Sequence, residues 1–276
     1  MAELDVGTLR LVFFLSIFTV MACIELLLPY RELSVDRVSR WPTNWGIVVL
    51  DAVLVRLIFP IGGVGLAYWA QSQGFGVLNW VGWHGWSAAV LAFLILDLAV
   101  WFQHWAAHKV PLLWRLHQVH HADGDMDVTT ALRFHPFEIL LSFVWKALVI
   151  VLLGAPVEAV LVFEIVLNGA AMFNHANASL PKGLDRVLRW GIVTPDMHRV
   201  HHSAEPCETD SNYGFNLSIW DRIFNTYTQQ PAKGHLGMTV GLSKDMAVGA
   251  RKFHWSLALP FRPLEMRRRR KSSDGK

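Results

Sequence analysis

Residues 9–28 form an almost continuous apolar run, about the twenty residues that a helix needs to cross the hydrocarbon core of a bilayer. In lipid every backbone N–H and C=O must be bonded within the protein, so such a run is restricted to a helix. It is too long for the apolar region of a signal peptide and lacks a small-residue cleavage site, which makes it a retained first span. Pro29 and the polar residues 31–44, with three arginines, end it. The rest of the chain suits the same solvent: 53% of the residues are hydrophobic and only 17% are charged, unlike a soluble globule. Trp41, Trp45, Trp80, Trp83 and Trp86 lie near the ends of apolar runs, where indole rings settle at headgroup level.

Residues 45–70 and 85–103 are expected to be the second and third spans. The second is interrupted by Asp51, Arg56, Pro60 and the glycines Gly62, Gly63 and Gly65; it should be kinked, with Asp51 and Arg56 forming a structural contact away from lipid. Two apolar runs, 137–153 and 157–173, meet at Gly154-Ala155-Pro156. Both are short for a span, so residues 137–173 read as a hairpin that either crosses the bilayer or dips into one leaflet. Lys146, Glu158, Glu164 and Asn168 in it point toward a packed interior. Residues 104–135 and 174–230 are too polar for lipid, and residues 231–276 end in a basic tail. The expected fold is therefore one all-α integral membrane domain over 1–276, with three full spans, a short apolar hairpin and a histidine-rich cytoplasmic cap. Positive charge supports that orientation. Arg31, Arg37, Arg40, Lys109, Arg115, Arg133 and the basic run 267–271 fall on the cap side, whereas Glu3, Asp5 and residues 71–84, which carry no Lys, Arg, Asp or Glu, fall on the other. The basic run suits anionic headgroups; without an aromatic platform or recognition motif, nucleic acid is not an expected partner. Cys23 and Cys207 offer no disulfide framework.

The polar segments carry the chemistry. Residues 104–121 read HWAAHKVPLLWRLHQVHH, with five imidazoles, and His198, His201 and His202 repeat the last triplet. Steps of three and four place side chains on one helical face, so Asp97, Trp101, His104 and His108 align, and Pro111 breaks the helix before His117, His120 and His121. Eight such nitrogens, or nine with His175, exceed what one ion takes and point to two ions side by side. A structural zinc site would use cysteines, and the His-Glu-x-x-His of zinc proteases is absent. Imidazole sites with open positions suit iron. Asp97 is placed to accept the second ring N–H of a ligand. A membrane protein that stores or transports zinc or nickel is the alternative, but its ligands would line a path through the bilayer. A bis-histidine haem would use only two of them. His84, His235 and His254 read as surface or hydrogen-bonded residues.

The order His104-x-x-x-His108, His117-x-x-His120-His121 and His198-x-x-His201-His202 on a multi-span body resembles the fatty acid hydroxylase and sterol desaturase superfamily. Flanking pieces are similar to its bacterial and alkylglycerol monooxygenase-like branch: Leu113-Trp114, Ala131-Leu132-Arg133-Phe134-His135-Pro136, Asn212-Tyr213-Gly214 and Trp220-Asp221-Arg222-Ile223-Phe224. The resemblance covers roughly residues 97–227. It implies a non-haem di-iron oxygenase that uses O2 to hydroxylate, or desaturate, a fatty acyl, sterol or alkyl-ether lipid. The eight box histidines would ligate two Fe ions and His175 would be an additional ligand. Asp97, His135, Asn177 and Asp221 would support the ligands or face the substrate. Trp105 and Ala122 stand where relatives often carry Arg and Ser, which bears on substrate class rather than on metal binding. Electrons must come from a partner, cytochrome b5-like, ferredoxin-like or a reductase, because the chain has no dinucleotide fingerprint, haem-attachment motif or cysteine cluster. The implied location is a bacterial inner membrane or the endoplasmic reticulum.

Overall fold

The structure is a computed structural model, and it describes residues 5–262; Glu3 and the basic run 267–271 lie outside them. Helix α1 (Val6–Leu27) starts at Asp5, whose carboxylate accepts the N–H groups of Gly7 and Thr8 at 2.8 and 3.0 Å, satisfying two of the donors that a helix N-terminus leaves unpaired. Asp36 caps α2 (Arg37–Ile58) in the same way through Ser39. The long second run then breaks where expected, because Pro60 has no N–H to continue the ladder. The chain resumes as α3 (Gly62–Ser72) and a turn, α4 (Val77–Trp80).

The expected contact of Asp51 with Arg56 does not form. Arg56 donates to the Pro60 carbonyl at 3.2 Å and closes the broken helix end, whereas Asp51 is buried and turned inward. Residues five apart lie on different faces of a helix, beyond the three and four spacings that bring side chains together.

Helix α5 (Trp86–Lys109) continues past the third apolar run, and Pro111 opens α6 (Pro111–His121). After a 3-10 turn at Val128–Leu132, α7 (Pro136–Leu153) and α8 (Val157–His175) form the hairpin. Gly154 takes the left-handed conformation that ends α7. A Cβ there would stand 2.6 Å from Asn79 Nδ2, so glycine also lets α4 pack against the turn. Both hairpin helices are long and apolar enough to cross a membrane, as are α1, the segment Arg37–Trp80 and α5. That makes five such segments among the described residues: the three expected spans and the two helices of the hairpin. The cap consists of short helices: α9 (Lys182–Leu188), α10 (Pro195–His201), α11 (Pro206–Thr209), α12 (Ile219–Ile223), α13 (Gly234–Gly237), α14 (Lys244–Ala250) and α15 (Phe253–Ala258).

Within lipid, helices associate through close packing rather than through escape from water. Ala88, Ala92 and Leu96 of α5 accordingly meet Ala159, Val160 and Phe163 of α8 in the central core, with α1 lying on α8 and α2 on α7. The cap is fastened by buried ion pairs. Arg40 of α2 grips both carboxylate oxygens of Asp123 at 2.7 Å and reaches Asp127 at 2.7 Å. Burial alone would raise the Asp123 carboxyl, but the adjoining guanidinium outweighs it and holds the group below its ordinary value. Arg133 donates to the Val119 carbonyl, Asn44 and Ser256. The C-terminal end of α6 is thus tied to α2 and to α15.

Candidate metal centre

The last turns of α5 carry His104 and His108, four residues apart on one face. Helix α6 contributes His117, His120 and His121, α8 ends at His175, and α10 supplies His198 and His201 with His202 just beyond it. All nine rings are buried and converge as two sets. His104, His108, His117, His121 and His201 form one; His120, His175, His198 and His202 form the other; in each set the ligand nitrogens lie within 4.8 Å of one another. Adjacent residues on a helix point about 100° apart, which lets the doublets His120-His121 and His201-His202 serve both sets. The sets adjoin, with ring centroids of His121 and His202 4.5 Å apart and those of His198 and His201 5.1 Å apart.

The proton positions follow from the partners. His104 Nδ1 lies 2.8 Å from the Tyr213 carbonyl, His175 Nδ1 2.7 Å from the Ala171 carbonyl and His201 Nδ1 2.7 Å from the Ser211 carbonyl. A carbonyl only accepts, so each Nδ1 carries the proton and each Nε2 presents a lone pair. His117 Nδ1 donates likewise to Glu138 Oε1 at 2.6 Å. The Nε2 atoms of His104 and His117 nevertheless face each other at 3.1 Å, and His175 Nε2 faces those of His120, His198 and His202 at 3.1, 3.0 and 3.2 Å. In the His104–His117 pair both nitrogens present lone pairs, which repel at that distance unless a cation lies between them. Burial pushes His120, His121, His198 and His202 well below the ordinary imidazole value, which keeps them neutral and able to ligate. The donor set therefore fits two transition-metal ions, held by five and four imidazoles, fewer than the six ligands of an octahedral ion.

Several supporting groups have no signature in the histidine spacing. Glu138, in the first turn of α7, orients His117, and Asp210 lies 3.4 Å from His108 Nδ1. Ser211 and Tyr213 act through their carbonyls. Asp221 holds that segment: its carboxylate accepts from the N–H groups of Tyr213 and Gly214 at 2.8 and 2.9 Å and from Trp101 Nε1 at 3.0 Å. It thereby acts on His104 through the Tyr213 peptide.

Asp97 does not reach a ligand ring. Its carboxylate accepts instead from Trp220 Nε1 and the Leu217 N–H, because the Tyr213 carbonyl already occupies the position at His104. His135 stands outside both sets, capping α7 and lying 3.2 Å from the Leu257 carbonyl. Asn177 joins the end of α8 to Arg31 and, through its N–H, to Glu25. His235 is buried and lies 3.8 Å from Asp196.

A cavity of about 360 Å³ starts at His104 and His117 and extends between the membrane helices. Val100, Ile139, Phe143 and Leu167 make apolar wall, and Phe134, which stacks on His120 with centroids 4.3 Å apart, and Phe215 border the metal end. Charged side chains interrupt this lining, namely Arg10, Asp51, Glu138, Lys146 and Glu164, together with the polar Gln103, Ser142 and Asn168.

A family model described as fatty acid hydroxylase matches residues 89–226, half of the 276-residue chain. The ornithine lipid hydroxylase OlsE of Rhizobium tropici is 32% identical over 173 residues, 62% of this chain and 50% of that protein. The alkylglycerol monooxygenase of Xenopus tropicalis is 35% identical over 149 residues, 54% of this chain and 32% of that protein. Human cholesterol 25-hydroxylase is 24% identical over 139 residues, 50% of each chain. The chain thus spans half or less of the length of these relatives. No solved structure matches it.

Proposed function

The chain belongs to the fatty acid hydroxylase family, and from that premise we propose that it is a membrane oxidoreductase that hydroxylates a lipid with O2 at two iron ions. The observation that carries this reading is the pair of converging imidazole sets at the end of a cavity walled by membrane helices. The named relatives act on an ornithine lipid, an alkylglycerol and cholesterol, which have a lipid C–H bond in common. The iron pair supplies O2 reduction and C–H oxidation: RH, O2, two electrons and two protons give ROH and water.

The chain's residues prepare for that step. The carbonyls of Tyr213, Ser211 and Ala171 fix three ligand tautomers, and the Glu138 carboxylate fixes that of His117 and the orientation of its ring. Phe134 and Phe215 keep the metal end of the cavity apolar, so an alkyl chain rather than water meets the ligands. The electrons come from a partner that is cytochrome b5-like, ferredoxin-like or a reductase. We place the histidines and the cap on the cytoplasmic side, with α7 and α8 crossing the bilayer. Five crossings carry the chain from one side to the other and leave Arg31, Arg37, Arg115 and Arg133 with the cap.

The test is anaerobic loading with ferrous iron in detergent, followed by a reductant, 18O2 and a panel of fatty acyl, sterol and alkyl-ether lipids. A hydroxylated lipid containing one labelled oxygen atom is expected. Iron-loaded protein that forms no labelled product from any of the three classes contradicts the reading.

A further inference from the structure

The end of the cavity away from the histidines is charged, although it lies among membrane helices. Arg10 of α1 pairs with Glu164 of α8 at 3.0 Å. Lys146 of α7 lines the same space, facing Glu164 and Arg10, and makes no ion pair or hydrogen bond among the described residues. Gly63 leaves room for the pair, since a Cβ there would stand 2.5 Å from Glu164 Oε1. Two cations and one anion leave a positive charge uncompensated at this pole, which is costly within a membrane unless a counter-charge arrives. The other acidic wall residues, Asp51 and Glu138, do not compensate it. Asp51 is 5% exposed, has an oxygen without a hydrogen-bond partner, and faces Glu138 beside His117 rather than Lys146.

The cavity also has a route to lipid. Helices α1 and α2 meet through ring contacts of Phe14 and Phe18 with Trp41 and Trp45, in the half of α2 nearer the cap. Helix α1 also packs on α8, and α2 on α7. Arg10 is both a wall residue and 39% exposed at its side chain, so the cavity reaches the surface beside it.

We propose that Lys146, with the Arg10–Glu164 pair, binds the oxyanion headgroup of the lipid substrate and so points its hydrocarbon tail at the metal ions. The lining sets the direction, because Phe134 and Phe215 border the metal end and suit an alkyl chain, while Lys146 offers an oxyanion its counter-charge at the other. Lys146 lies eight residues along α7 from Glu138, roughly 12 Å at 1.5 Å per residue. The oxidised carbon is then remote from the headgroup, on the alkyl chain. This inference rests on the cavity being the substrate site of the hydroxylase proposed above. A carboxylate and a phosphate share the required chemistry, and both are charge-assisted acceptors for a lysine.

Binding can be separated from turnover by keeping the iron-loaded protein anaerobic and without reductant. Stearate, octadecyl phosphate and methyl stearate are titrated into wild type, Lys146→Met and Lys146→Arg in the same detergent. In wild type both anions should bind more tightly than the ester, and the tighter of the two identifies the headgroup. Lys146→Met should weaken the anions by about tenfold, the loss expected for one charge-assisted hydrogen bond, while leaving ester affinity and iron content unchanged. Lys146→Arg should restore anion binding. Wild type that binds the ester as tightly as both anions overturns the proposal without recourse to a variant. So does an equal loss of all three ligands in Lys146→Met. A protein that fails this test yet forms labelled product with 18O2 leaves the hydroxylase reading standing and removes only the headgroup site.

Discussion

At the scale of single residues, the proposed centre depends on imidazoles buried away from water, four of which, His104, His117, His175 and His201, are aimed by groups that cannot donate back. Burial that lowers the affinity of His120, His121, His198 and His202 for protons has a consequence for stability. These imidazoles bind more protons in the unfolded chain than in the native one below the ordinary value of 6.5, so their contribution to stability is lost as the pH falls through that value. The metal-free protein should therefore show an unfolding midpoint that falls as the pH drops through about 6; a midpoint that rises on acidification contradicts this. Glu138→Gln keeps the shape of the side chain but removes the charge that His117 leans on. It should weaken metal binding by roughly 10–100-fold, measured by competition with a chelator. The histidines were legible because ligation demands repeated spacing on a helix. Glu138 was not, since it follows His117 by twenty-one residues and an isolated carboxylate at the start of an apolar helix equally suits a cap. The carbonyls of Ser211 and Tyr213 leave no trace in residue type at all.

At the scale of elements, the apolar runs and the prolines located most of the helices. Pro60 divides α2 from α3, Pro111 opens α6, and Gly154 ends α7 at the hairpin turn anticipated from Gly154-Ala155-Pro156. What the runs could not convey is which helices touch. Asp51 and Arg56 look like partners along the chain, yet helical geometry turns them apart, and Asp97 is drawn to Trp220 rather than to a ligand. The acidic stretch containing Asp123, Asp125 and Asp127 acquires its meaning only when folding brings Arg40 between its carboxylates. Arg40→Met would leave Asp123 and Asp127 buried without their cation, at a cost of about 3–5 kcal/mol. A marked drop in the thermal midpoint of the purified protein, with loss of bound metal as α6 loosens, is expected; an unchanged midpoint would show that the pair does not fasten the cap.

At the scale of the whole molecule, two solvents meet at one plane. Five apolar segments provide the body and the cavity, and short polar helices beyond them close over the ends of α5 and α8. That division was readable from hydropathy, because lipid leaves a chain few choices of structure. The cavity was not, since its walls come from α1, α2, α3, α5, α7 and α8 and exist only once those helices pack. The proposed chemistry requires the two imidazole sets to hold two metal ions next to each other at the end of this cavity. Metal analysis after anaerobic loading with ferrous iron tests it most directly. Wild type should retain two iron ions per chain, and His108→Ala, in one set, and His175→Ala, in the other, should each retain fewer than two. One iron or none in wild type, or two irons retained in both variants, would contradict it.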